Sequence, residues 1–143
     1  MPIVSAQPRH HPLIDGRQSD RAMQVRRGVQ RLFEESGIVT LPEFTLANGR
    51  RADLCAITRE GAVLIIEIKS SIEDMRVDTK WPDYRDFCDQ LYFATLPDVP
   101  PSIFPDDCGF VVADMHGAEI VRDAPKHPLN AARRKAVTLK YAR

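Results

Sequence analysis

Three ionisable residues stand where strands normally carry apolar side chains: Asp53, Glu67 and Lys69, within GRRADLCAITREGAVLIIEIKSS at residues 49–71. Carboxylate oxygens are hard ligands suited to Mg²⁺ or Mn²⁺. Such an ion polarises a phosphoryl oxygen and lowers the pKa of its bound water. A lysine beside the carboxylates can orient that water or stabilise charge developing on phosphate. These are the minimum parts for hydrolysing a phosphodiester. The alternative is a buried Asp/Glu–Lys ion pair with no chemistry. Against it, two neighbouring carboxylates repel each other, and one lysine balances only one of them. No local Ser–His or Cys–His motif points to nucleophilic catalysis.

Two strands must position these groups, Arg51–Thr58 and Ala62–Ser70, joined by Arg59-Glu60-Gly61. A three-residue hairpin loop favours Gly at its last position. Pairing Thr58 with Ala62 closes the loop and sets Asp53 opposite Glu67, with Cβ atoms roughly 4.5–5.5 Å apart. Alternation then sends Glu67 and Lys69 to one face, shared with Val63 and Ile65, while Leu64, Ile66 and Ile68 fill the other. Apolar residues on both faces mark a central strand. Arg51 shares the Asp53 face, either as a phosphate contact or as a partner for the acids.

Around this hairpin the sequence predicts a flexible arm over residues 1–18 and a single domain over 19–143. A helix is expected at Asp20–Ser36, where Val25, Val29, Leu32 and Phe33 form a stripe, with Gly37 as its C-cap. Ile38–Leu46 reads as a strand bent at Pro42, and Asn48-Gly49 as a hairpin turn. Ser71–Lys80 is polar and irregular or weakly helical. Tyr84, Phe87, Cys88, Leu91, Ala94 and Thr95 lie at helical spacing and predict a helix over Asp83–Thr95. A Pro-rich loop follows, then strands at Cys108–Met115 and Ala118–Val121. Asn130 is positioned to cap a final basic helix to Tyr141. The order is helix, three strands, helix, two strands, helix, which makes an α+β, or mixed α/β, layered domain with one main sheet.

The 143 residues carry no net charge, but the distribution is uneven. Residues 1–31 hold six Arg against Asp15 and Asp20, and residues 122–143 hold seven Lys/Arg against Asp123. The middle is strongly acidic. Basic ends suit phosphate while a central acid cluster suits a cation. Arg26 and Arg27 on the first helix, and Arg133, Arg134 and Lys135 on the last, are candidate phosphate contacts; a solvated basic surface is the alternative. Cys55, Cys88 and Cys108 are isolated thiols without metal-site spacing, and the four His lack it too. Such thiols, together with the lack of a signal peptide or membrane-length apolar run, point to a cytoplasmic protein.

Asp53, thirteen residues, then Glu67-Ile68-Lys69 resembles the D-x(n)-(D/E)-x-K signature of the PD-(D/E)xK nuclease superfamily. Over a longer stretch, GRRADLCAI, EIKSS and D-x-K-W-x-D-Y-x-x-x-C-D-x-L-Y-F-A (Asp78 to Ala94) resemble the bacterial MmcB family of DNA-repair proteins. The resemblance implies a restriction-endonuclease-like αβββαβ core with a mixed central sheet and a C-terminal helix. It implies a metal-dependent deoxyribonuclease in DNA repair, or a catalytically weak DNA- or protein-binding module of a repair complex. Asp53 and Glu67 would hold Mg²⁺ or Mn²⁺, the Ile68 carbonyl would add a ligand, and Lys69 would be the catalytic lysine. Glu43 is the candidate further acid, with Glu35 second. Gln90 stands at the first position of a Q-x-x-x-Y motif, although Ala94 replaces the Tyr; it is a DNA-contact candidate. Ala52 stands in place of the motif's Pro. DNA, other repair proteins and a second copy of the chain are the implied partners.

Overall fold

A computed structural model of the chain describes residues 12–143. The expected arm falls partly on residues 1–11, outside the described residues. The first helix, α1 (Pro12–Glu35), begins eight residues before the expected Asp20. Gly37 follows it with φ 77° and ends the helix. Strands β1 (Thr40–Thr45), β2 (Arg51–Ile57) and β3 (Val63–Ile68) come next. A short helix α2 (Ile72–Val77) and a 3-10 turn (Trp81–Phe87) lead to β4 (Gln90–Thr95). A Pro-rich segment reaches β5 (Gly109–Asp114), which turns into β6 (Gly117–Arg122). Helix α3 (Ala131–Ala142) closes the described chain, and Asn130 caps it by accepting a bond from the Arg133 N–H.

All six strands form one sheet in sequence order. β1, β2 and β3 are antiparallel, β3, β4 and β5 are parallel, and β5–β6 is antiparallel. The sheet is therefore mixed, the domain α+β, with helices at both ends of the chain. Local chemistry builds the first hairpins. Thr58 N–H donates to Ala62 O at 2.9 Å and Gly61 takes φ 88°, which a loop closing on Gly requires.

One prediction fails here. Residues 83–95 are not a helix but a 3-10 turn followed by strand β4. Leu91 to Thr95 are all buried, because β4 lies between β3 and β5 and is covered on both faces. A buried strand reads as a short continuous apolar run, which periodicity cannot tell from a buried helix. The backbone turns extended at Cys88 (φ −145°, ψ 162°), where the two readings part.

Two apolar layers sandwich the sheet. On one face α1 presents Val25, Val29 and Phe33 to Leu54, Ile66, Tyr92 and Val111. A Cβ on Gly28 would lie 2.1 Å from Asp114 O, so only glycine lets α1 approach the β5–β6 turn this closely. On the other face Trp81, Phe93, Phe104 and Phe110 form a chain of rings with centroids 5.0–5.7 Å apart. Tyr84, Phe87 and Val137 join that layer. All three cysteines are free and buried.

Candidate active site

The β2–β3 ladder pairs Ile57 with Val63 and runs to Leu54 with Ile66. One step further, side chains replace the backbone bonds. Glu67 Oε2 accepts from the Asp53 N–H at 2.9 Å, and Asp53 Oδ2 accepts from the Ile68 N–H at 2.7 Å. Each carboxylate reaches across to the opposite strand, so Asp53 and Glu67 meet at the end of the sheet's apolar interior. Neither Asp53 Oδ1 nor Glu67 Oε1 accepts a hydrogen bond from a described residue. Glu67 is only 4% exposed.

Lys69 lies two residues on. Its Nζ donates to Asp78 Oδ2, and both side chains are nearly buried, at 12% and 13% exposure. The other Asp78 oxygen accepts from the Lys80 N–H at 2.8 Å and the Trp81 N–H at 3.2 Å. The turn after α2 thus fixes Asp78, and Asp78 fixes the lysine. Tyr84 covers the same end of the sheet, its hydroxyl donating to the Arg51 carbonyl at 3.1 Å.

Three carboxylates, Asp53, Glu67 and Asp78, share one buried ammonium. Burial pushes the Glu67 carboxyl up to about 8, and the neighbouring Asp53 charge pushes the same way, against the Asp53 N–H and Lys69. Asp53 is raised too, chiefly by burial, with the Ile68 N–H and Lys69 opposing. Burial also works to raise Asp78, but its bonds to Lys69 and the Lys80 and Trp81 N–H groups outweigh it and hold it below the usual carboxylate range. Tyr84 is raised to about 12 by burial and by the negative charge of Glu67 and Asp53. The lysine is thus committed to Asp78, and the Asp53–Glu67 pair keeps an excess of negative charge.

The other sequence candidates fall elsewhere. Glu43 stands across from Asp53, but the β1–β2 pairing passes from Pro42–Leu54 to Phe44–Ala52 without it. It takes φ 52°, a left-handed backbone that costs a residue with a side chain roughly 1–2 kcal/mol. Its carboxylate faces Arg51 at 3.4 Å and Arg26 at 3.7 Å rather than the acidic pair. Glu35 pairs with Arg31 on the exposed end of α1. Among the described residues no three His, Cys, Asp or Glu side chains converge on one point.

Gln90 lies at the far end of β4, level with Leu64 rather than Glu67, and donates to the Ala124 carbonyl at 2.8 Å. Arg134 makes two bonds to the buried Asp89, at 2.6 and 2.7 Å, and holds α3 to the sheet. Arg133 lies over the Phe87 ring at 4.6 Å and donates to the Asp86 carbonyl. Arg27 and Lys135 are exposed. Trp81, partly buried, packs edge-on against the core residue Phe93.

Of the residues at this end of the sheet, Asp78 was given no role from sequence, and Tyr84 only a packing one. Both sit inside the Asp78–Ala94 motif, so the signal was present, but only the fold shows that the segment returns to the end of β3.

The chain matches the family model described as "DNA repair protein MmcB-like" over residues 9–143. It is also similar to a solved structure, the SPO1766 protein of unknown function from Silicibacter pomeroyi. The two share 37% identity, with 85% of this chain and 84% of that chain covered and a TM-score of 0.82. No curated protein matches the chain.

Proposed function

The chain belongs to the MmcB-like DNA repair protein family, and we propose that within it the β2–β3 carboxylates form a divalent-metal endonuclease site that hydrolyses phosphodiesters in DNA. The observation that carries this reading is the crowding of acids: Asp53 and Glu67 meet across β2 and β3, each with one oxygen that no described residue bonds, while Lys69 is bound to Asp78. A cation is the natural complement of such a pair. The donor set fits a hard divalent ion, since it offers only oxygens. Asp53 and Glu67 would hold it. The Ile68 carbonyl leaves β3 on the same side as the Ile68 N–H that meets Asp53, so it is the third candidate donor.

A bound Mg²⁺ or Mn²⁺ would supply Lewis acidity and a more acidic water. The remaining tasks fall to this chain's own groups. Burial and the neighbouring Asp53 charge favour a proton on Glu67, which a bound cation would displace. Lys69, fixed by Asp78, keeps its ammonium at the edge of the pair, where it can orient a water or meet negative charge on phosphate. Tyr84, bonded to the Arg51 carbonyl, and Trp81, bonded to Asp78, cover the apolar side of the pair. Arg51 and Arg26, gathered at Glu43, and the exposed Arg27 supply positive charge for the DNA backbone. Buried reduced thiols suit work in the cytoplasm.

The test is direct. Purified protein with Mg²⁺ or Mn²⁺ is expected to nick or cut DNA, screened over duplex, single-stranded, flapped and mismatched substrates. Asp53→Ala and Lys69→Ala are each expected to abolish cutting while the fold persists. Cutting that survives both substitutions sinks the proposal.

A second reading draws on the bonds themselves. Both carboxylates already accept backbone N–H groups, and Lys69 is already paired, so the corner serves equally as a structural clamp in a DNA- or protein-binding module. Salt-dependent DNA binding unchanged by Lys69→Ala, with no cutting of any substrate, would favour this reading.

A further inference from the structure

Helix α3 and the β1–β2 hairpin enclose a groove of about 970 Å³ that the proposed metal site does not use. Its floor is apolar: Phe44 and Leu46 from the hairpin, Phe87 from the 3-10 turn, and Val137 from α3. Its rim carries Arg133, Lys140 and Arg143, and among the described residues no acidic one lines it. That is unusual beside the acidic middle of the chain. Leu139, 52% exposed, forms part of one wall.

The groove's chemistry selects among occupants. Bases of single-stranded DNA would need open ring faces to stack on. Phe44 and Phe87 are only 6% and 7% exposed, and Lys140 and Arg133 already lie over their rings at 5.6 and 4.6 Å. A phosphate backbone would use the rim and gain nothing from the floor. A peptide carrying an apolar side chain between acidic residues would use the rim and the apolar wall together, burying its anchor against the exposed Leu139 and Ala136 and placing its carboxylates at the three cations. We infer that this groove docks an acidic, amphipathic segment of a partner protein.

A phage-displayed library of random 12-residue peptides, selected against the full-length protein, tests this. The enriched peptides are expected to carry Asp or Glu on both sides of a large apolar residue. Ala136 lines the groove from an exposed position on α3, so Ala136→Trp fills the groove without touching the core. It is expected to abolish binding of the best synthesised peptide. The double substitution Lys140→Glu, Arg143→Glu reverses two rim charges and is expected to weaken binding by about ten-fold or more. Amide NMR shifts on adding the peptide should concentrate in residues 44–48 and 130–143. The inference is overturned if selection enriches no acidic-apolar pattern, or if Ala136→Trp binds the peptide as well as wild type. It is also overturned if a single-stranded oligonucleotide, and not the peptide, shifts those amides. Circular dichroism of each variant separates loss of the groove from loss of the fold.

Discussion

Strand β3 meets a buried carboxylate at each end, and the two ends are treated oppositely. At its start, Asp89 accepts from the Val63 N–H at 2.7 Å and the Leu129 N–H at 2.9 Å, and takes both arms of Arg134. Burial works to raise Asp89, but Arg134 and the two N–H donors prevail and bring it down to about 2. At the other end, Glu67 sits beside Asp53, and the nearest ammonium is bound to Asp78; its carboxyl rises to about 8. Burial is common to both ends. What differs is whether a cation has been built in. A carboxylate with a dedicated Arg and a full set of donors is a structural joint. A carboxylate facing another carboxylate, with an oxygen that no described residue bonds, carries charge that the described residues leave uncompensated.

The contrast can be broken most severely at the Asp89 end. Asp89→Ala strands Arg134 and two backbone N–H groups, and is expected to cost about 3 kcal/mol in urea unfolding, the low end for a buried pair because Arg134 keeps a third of its side chain in water. An unchanged midpoint would mean that the pair is not a joint. Asp78→Asn comes next. It leaves Lys69 without its anchor and is expected to lower metal-dependent cutting by about 10–100-fold, as loss of a supporting partner does, with a smaller loss of stability than Asp89→Ala because Asp53 and Glu67 remain near the ammonium. Full activity in this variant would remove Asp78 from the site.

Third is the pH response, which the two ends give with opposite sign. Glu67 binds its proton more tightly folded than unfolded, so its contribution is fully present below about 4.5 and is lost as pH rises toward about 8. Asp89 is the reverse: its contribution is present above about 3.8 and is lost as pH falls toward about 2. Glu67→Gln is therefore expected to raise stability at pH 8 and to leave it unchanged at pH 4, read from unfolding midpoints at the two pH values. A gain of equal size at both would deny the crowding of charge. Smallest is Gln90→Ala, which removes the bond to Ala124 and is expected to cost about 1 kcal/mol in unfolding while leaving DNA cutting as it was. A loss of cutting would return Gln90 to the site.

The hairpin at the centre of the molecule was legible because its signals are local. Gly61 closes one turn and Gly49 the other, and a period of two then places Asp53 against Glu67 without knowledge of anything else. The α3 cap at Asn130 was legible for the same reason. β4 was not, because Leu91 to Thr95 are apolar on every side and lose the alternation that marks a half-exposed strand. That error also hid Gln90's true position, since a helix there would have presented it differently.

The amino-acid order by itself determined an α+β layered domain with one main sheet, its hairpin register and the meeting of two carboxylates on neighbouring strands. These follow from turn geometry and side-chain alternation, which act over a few residues. Tertiary structure alone decided how the charges are shared. It brought Asp78 back to Lys69, gave Arg134 to Asp89, drew Glu43 toward Arg26 and Arg51, and left Asp53 and Glu67 together. Charge partners are chosen by distance in space, and between elements joined by long connections that distance is set by packing of the whole domain.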